Sequence, residues 1–291
     1  MDAVVFCAQD VGVRHWTYTP WLMTLIKACG EAKREVIVLD LPNPIRGDIV
    51  EGAPTEPPYD NIWDGLVSGV RYPLRHGMTV GELALMYNDK ENLGAELTVL
   101  RMQGWKRDMW YDETGLMWLP GSPNMPNTDT PLFFAATGLM QGANFSLGIG
   151  TTTPFQFVGA PDFDGERLTD ELNTLDLPGI YFVHKYYMAM TYLNPEEGEN
   201  RKMTLCNGAF MVINDRDVWL PVKTQLHIIN TLARLFPDKV NFEYHELARI
   251  RMGTDKICDA LKRAESLDPI IEEWSRGAEE FKKGREKYLL Y

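Results

Sequence analysis

Apolar positions in the first third of the chain fall into short unbroken runs separated by stretches of helical periodicity. Val4, Val5 and Phe6 show no alternation, and neither do Val36 to Leu39. Such runs predict strands buried on both faces of a parallel sheet. Between them Trp21, Leu22, Leu25, Ile26 and Cys29 recur on one helical face, with Gly30 near its end. Thr79-Val-Gly-Glu82 has the form of a capping box opening a helix through Met86, and Leu97 to Leu100 supplies a third strand. Strands alternating with helices predict an α/β sheet. Residues 41–75 and 102–128 are long aperiodic connections, of the kind that often serve as binding loops.

The pattern changes near residue 130. Pro131 to Met140 reads as an apolar helix, and residues 142–155 as a Gly- and Thr-rich turn. Gly179 to Val183 and Ala209 to Ile213 read as strands, while Val222, Leu226, Ile229, Leu232 and Phe236 share a helical face. Thr254 caps a short helix, and Asp268-Pro269 opens a last one carrying Ile270, Ile271, Trp274, Ala278 and Phe281. The predicted fold is α/β: a mostly parallel sheet domain over residues 1–130, followed by a second α/β domain over 131–291. Gly148 and Gly150 lack both the Lys-Ser/Thr of a P-loop and the third glycine of a dinucleotide fingerprint. No cofactor is expected.

Charge narrows the partners. The 291 residues include 41 acidic and 29 basic ones, for a net charge of -12. Nucleic acid and anionic membrane surfaces both need a basic footprint, so neutral or cationic small ligands fit better. No run approaches the roughly eighteen apolar residues of a membrane span. Residues 1–20 lack the basic start and long apolar core of a signal peptide, which predicts a cytoplasmic chain if Met1 is the true start. Cys7, Cys29, Cys206 and Cys258 stand singly, so buried free thiols are expected for most of them. No His and carboxylate group has ligand spacing, and no metal is expected.

Candidate chemistry follows the first strand at once, in Gln9, Asp10, Arg14, His15, Trp16 and Tyr18. In open α/β sheets ligands sit outside the carboxyl ends of the strands, which is where this cluster falls. Asp10 beside Arg14 predicts an ionised carboxylate, or a local salt bridge that orders a turn. Asn124 is held between Pro123 and Pro126 in Ser122-Pro-Asn-Met-Pro126, downstream of Trp105, Trp110 and Trp118. A fixed amide beside exposed indoles suits a sugar, and the same tryptophans buried would be core.

Seven collinear motifs carry a resemblance: QDVGVRHWTY (9–18), VLDLPNP (38–44), RHGMTVGELAL (75–85), GWKRDMWYDETGL (104–116), SPNMP (122–126), INDRD (213–217) and the terminal YLLY. Together they resemble the NamZ-type exo-β-N-acetylmuramidases, formerly a domain-of-unknown-function family. The resemblance implies a glycoside hydrolase that releases N-acetylmuramic acid from the non-reducing end of peptidoglycan fragments, on a Rossmann-like, mostly parallel sheet domain that carries a cleft and is N-terminally incomplete here, followed by a smaller α/β domain. Family members usually begin with further βα units, including a Gly-Pro-Glu-His-Gly segment with the favoured catalytic acid, and are often exported. This chain is expected to lack that segment. Cys7, Gln141, Leu147, Ile149 and Gln156 stand where the family carries charge.

The resemblance makes Asp10 the catalytic candidate, as base or electrostatic stabiliser. It puts Gln9, Arg14 and Tyr18 on the floor of a cleft, with Arg14 suited to the lactyl carboxylate of muramic acid, and Asn43, Arg75, His76 and Asn124 on its walls. Glu82 is a weaker catalytic choice because its capping role already explains it. The expected partner is a muropeptide or another muramic-acid-containing saccharide, and the alternative function is a non-catalytic binder of the same ligand. An opening strand without its neighbours also predicts that a second copy or a companion N-terminal segment covers residues 4–8.

Overall fold

The computed structural model describes residues 2–60, 71–192, 201–244 and 248–291, which form two compact units. The first comprises Met1–Gly121 together with Trp274–Tyr291, and the second Ser122–Glu273.

The first unit is built on three parallel strands, β1 (Ala3–Phe6), β2 (Glu35–Leu39) and β3 (Leu97–Leu100), in the order β1-β2-β3. Val4 pairs with Val36, and Val36 with Leu97. Helices α1 (Tyr18–Ala32) and α2 (Val80–Lys90) make the crossovers. Right-handed crossovers moving one way along a sheet lay their helices on one face. Leu22, Ile26 and Cys29 of α1 and Val80 and Ala84 of α2 accordingly meet Val36 and Val38 in one core cluster. Fully burying a side chain of this size stabilises by about 1.5–3 kcal/mol. The opposite face is open: Val5 is 57% and Leu100 52% exposed. A strand buried on both faces was expected at Val4–Phe6, but β1 lies at the sheet edge with Val5 turned outward.

α2 starts where the sequence places it. The Thr79 hydroxyl accepts from the Glu82 N–H at 3.3 Å, and Glu82 Oε2 accepts from the Thr79 N–H at 3.0 Å. Its other side joins a second cluster in which Met23, Tyr72, Met78, Leu83, Met86 and Tyr87 pack with Phe281 and Tyr288 from the end of the chain. The last helix, α8 (Asp268–Gly284), supplies Phe281.

The second unit has an antiparallel sheet of order β4-β6-β5, with β4 at Phe157–Ala160, β5 at Ile180–Tyr192 and β6 at Arg201–Ile213. β5 and β6 each run 13 residues, well beyond the short strands expected from apolar runs. Their continuation alternates apolar and polar residues poorly, so the run signal ends before the strand does. Gly159 faces Gly208 across β4 and β6, where a Cβ on Gly208 would stand 2.2 Å from the Val158 carbonyl oxygen. α3 (Thr130–Thr137), α4 (Gly165–Asn173) and α5 (Pro221–Leu235) belong to this unit. Gln225 of α5 donates to Ala135 O at 3.1 Å and accepts from Leu139 N at 2.8 Å, which ties α5 to α3 and the turn after it. α6 (Ala248–Met252) and α7 (Lys256–Lys262) complete the unit. Among the described residues no helix is long and apolar enough to cross a membrane.

Candidate functional site

The chain leaving β1 is drawn beneath the chain leaving β2. Gln9 Nε2 donates to its neighbour's carbonyl, Asp10 O, at 2.7 Å and to Pro42 O at 2.8 Å. Asp10 itself is buried at 3% exposure. Its Oδ2 accepts from Gly12 N at 2.7 Å and its Oδ1 from the Thr19 hydroxyl at 3.1 Å, so the carboxylate closes a turn and pins the first turn of α1. Gly12 has φ +78, and a Cβ there would lie 2.5 Å from Asn43 Oδ1. Only glycine lets these two strand exits approach so closely.

His76 is fully buried with Nε2 3.2 Å from Asp10 Oδ2. Nδ1 accepts from Met78 N at 3.2 Å, which makes Nε2 the nitrogen that can donate. The Nε2 contact is close in distance but not aligned as a hydrogen bond. Asn43 grips the same turn from the other side, donating to Met78 O at 3.0 Å and accepting from Ile45 N at 3.1 Å. Tyr72 lies edge-on to His76, with ring centroids 5.0 Å apart. Burial, then the neighbouring Tyr87 and Asp10, push the Tyr72 phenol well above its ordinary range.

The two arginines read as site residues are both buried. Arg14 directs Nη1 to the carbonyls of Ala53 at 2.7 Å and Tyr72 at 3.4 Å. Burial lowers its pKa to about 10. Arg75 donates to Glu51 Oε2 at 3.0 Å and to Ile45 O, and stacks 5.8 Å from the Trp110 ring. Burial lowers its pKa as well, against the opposing pull of Glu51. These contacts weld segments 13–14, 45, 51–53 and 72–75 together under the strand ends.

Tyr18 differs from this group. It is half-buried at the surface, its hydroxyl donating to Gly121 O at 2.7 Å. The structure thus brings Gln9, Asp10, Asn43 and His76 together, ties Arg14 and Arg75 into the backbone beside them, and leaves Tyr18 at the rim. Asn124 belongs to the second unit, half-buried, with its N–H donating to Ser122 Oγ at 3.2 Å. Trp105 and Trp110 are buried, and Trp118 is half-buried edge-on to Tyr111.

Three polar residues were missed. Thr19 and Tyr72 carry no local signal of their role. Asp40 does: like Asp10 it follows an apolar strand. It accepts from the Thr79 hydroxyl at 2.7 Å, Gly81 N at 2.8 Å, Leu41 N at 3.1 Å and the Tyr291 hydroxyl at 2.8 Å. Burial raises its pKa despite those donors. Among the described residues no cluster of three His, Cys, Asp or Glu side chains could hold a metal ion.

Two family models cover the chain. Exo-beta-N-acetylmuramidase NamZ, N-terminal, matches residues 1–129, and its C-terminal counterpart residues 132–291. The peptidoglycan beta-N-acetylmuramidase NamZ of Bacillus subtilis (strain 168) is 36% identical over 295 residues, an alignment that covers 100% of this chain and 68% of the relative. Crystal structures of two DUF1343 family proteins from Bacteroides fragilis NCTC 9343 superpose with TM-scores of 0.89 and 0.76 at 31% and 28% identity. Each comparison takes in 100% of this chain and 75% of the other.

Proposed function

The chain belongs to the exo-beta-N-acetylmuramidase NamZ family, and from that premise we propose that it is a muramidase-like glycoside hydrolase releasing N-acetylmuramic acid from the non-reducing end of peptidoglycan fragments. The observation that carries the reading is the 36% identity to a peptidoglycan β-N-acetylmuramidase along the whole chain. Glycosidases stabilise an oxocarbenium-like transition state with carboxylates placed beside the sugar ring. Asp10, fixed by Gly12 and Thr19 with His76 Nε2 at 3.2 Å, is the group we assign to that electrostatic role. The burial of Arg14, Asn43, Arg75 and His76 favours positioning over direct contact, which leaves the half-buried Gln9 and Tyr18 as the substrate-binding residues of the first unit.

A second reading, a muropeptide-binding protein without turnover, draws on the uncharged residues at positions 7, 141, 147, 149 and 156. Leu147 is buried, and Gln156 donates to Met211 O at 2.8 Å, so both serve the packing of the second unit. Release of chromophore from an aryl β-N-acetylmuramide separates the two. Hydrolysis that falls about 10²–10³-fold in Asp10→Asn supports the hydrolase. Saturable binding of N-acetylmuramic acid with no release by the wild-type chain overturns it.

We also propose that a companion strand–helix segment covers the edge and open face of β1. Both crossover helices lie on the other face, whereas parallel sheets are stable with both faces covered. A segment wound from β1 in the opposite direction would lay its helix over Val5 and Leu100, and would make the end of β1 a switch point where ligands bind.

A further inference from the structure

Asp10 and Asp40 follow neighbouring strands, and each is held by a threonine at the start of the next helix. Asp40 is saturated. Each of its oxygens takes two donors, Oδ2 from the Thr79 and Tyr291 hydroxyls and Oδ1 from Gly81 N and Leu41 N. Asp10 is not: Oδ2 accepts from Gly12 N with His76 Nε2 3.2 Å away, whereas Oδ1 accepts from the Thr19 hydroxyl alone among the described residues. A carboxylate oxygen has two lone pairs, so Oδ1 keeps acceptor capacity.

The Thr19 hydroxyl also behaves unlike its helical counterparts. Thr24, Thr137, Thr169 and Thr224 each donate to the carbonyl four residues back, at 2.7–3.1 Å, the ordinary local bond of a threonine in a helix. Thr19 instead reaches out of α1 to a side chain nine positions upstream. Nor is the contact a helix cap. Asp40 accepts from a backbone N–H of α2, at Gly81, but Asp10 accepts from none of α1. Thr19 is 1% exposed and its branched Cβ restricts the rotamer, so the hydroxyl is held in one direction.

Resting on the hydrolase reading above, we propose that Thr19 is a positioning residue: its hydroxyl aims the Asp10 oxygen that has acceptor capacity left for the reaction. Without that hydroxyl the carboxylate is anchored at Oδ2 only and turns about its Cβ–Cγ bond. No backbone hydrogen bond of α1 depends on the contact. The effect therefore falls on the transition state, where the direction of the charge counts, and not on the binding of the ground-state sugar.

Steady-state hydrolysis of an aryl β-N-acetylmuramide tests the assignment. Thr19→Val, which keeps the branched shape and removes the donor, should lower kcat about tenfold with KM within about twofold of wild type. Thr19→Ser should return kcat to within about threefold of wild type, since the donor is restored. Thr24→Val, which loses a hydroxyl elsewhere on α1, should leave kcat unchanged. In an Asp10→Asn background Thr19→Val should cost no further rate, because the hydroxyl acts through the carboxylate. Thr19→Ala carries the same expectations where the valine variant does not fold. A kcat within about twofold of wild type in Thr19→Val, a loss that serine does not repair, or an equal loss in the Asp10→Asn background overturns the positioning role and leaves the hydrolase reading standing. No release by the wild-type chain overturns both.

Discussion

Replacing Glu82 by glutamine should cost the first unit about 3 kcal/mol and leave no doubt that this carboxylate is structural. Its side chain is fully buried and accepts from four donors: Thr79 N at 3.0 Å, Leu290 N at 2.8 Å, and Arg107 Nη1 and Nη2 at 2.6 and 3.1 Å. Glutamine keeps one acceptor and turns an NH2 toward a donor. Weakening the capping box costs about 1 kcal/mol. Removing one partner of a buried ion pair costs about 3–5 kcal/mol, and because Arg107 retains 15% exposure the low end applies. These losses overlap, since the same oxygens serve both, and about 3 kcal/mol lowers Tm by about 6–12 °C in a unit of this size. Urea denaturation followed by circular dichroism gives the total, and hydrogen exchange at the Leu290 amide reports the local loss. Arg107→Met added to Glu82→Gln should recover at least about 1 kcal/mol of the sum of the single costs. A glutamine variant within about 0.5 kcal/mol of wild type, or strictly additive costs, would refute the reasoning.

Two further outcomes follow from exposed and buried titratable groups. Burial, then Lys223, holds the His227 imidazole below its ordinary 6.5, with Asp268 opposing. Below that value the unfolded chain binds a proton that the folded chain does not, so stability rises with pH up to about 6.5 and then levels. His227→Gln should shrink the difference between urea midpoints at about pH 5 and about pH 7, and an unchanged difference would count against the assignment. Cys7 is exposed while Cys29, Cys206 and Cys258 are buried, so a maleimide should modify Cys7 alone in the purified chain. A covering strand–helix segment should slow that reaction at least about tenfold, and Val5→Lys should abolish the protection at less than about 0.5 kcal/mol of stability. Equal labelling of Cys7 with and without candidate partner polypeptide would remove the proposal.

The alternation of strands and helices in the first unit was legible because each element carries its own period. Val36 to Leu39, Leu97 to Leu100 and the Thr79–Glu82 box mark themselves within a few residues. The cluster at the end of β1 was legible for the same reason, as polar groups abruptly following an apolar run. What that cluster does internally was not. Asp10 meets His76 across 66 positions, and nothing local distinguishes an arginine that reaches solvent from one that, like Arg14, ends on backbone carbonyls. Trp105 and Trp110 illustrate the same limit. Spacing cannot tell an exposed indole from one sandwiched beneath Arg46 and Arg75.

The return of Trp274–Tyr291 to the first unit has a consequence for biosynthesis. Residues 122–273 must leave the ribosome before Phe281, Leu290 and Tyr291 can reach Met86, Glu82 and Asp40. At 5–20 residues per second the nascent sheet waits roughly 8–30 s for its last helix. During that interval Met23, Tyr72, Leu83, Met86 and Tyr87 lack the Phe281 and Tyr288 rings that complete their cluster, and a chaperone that shields this patch would raise yield.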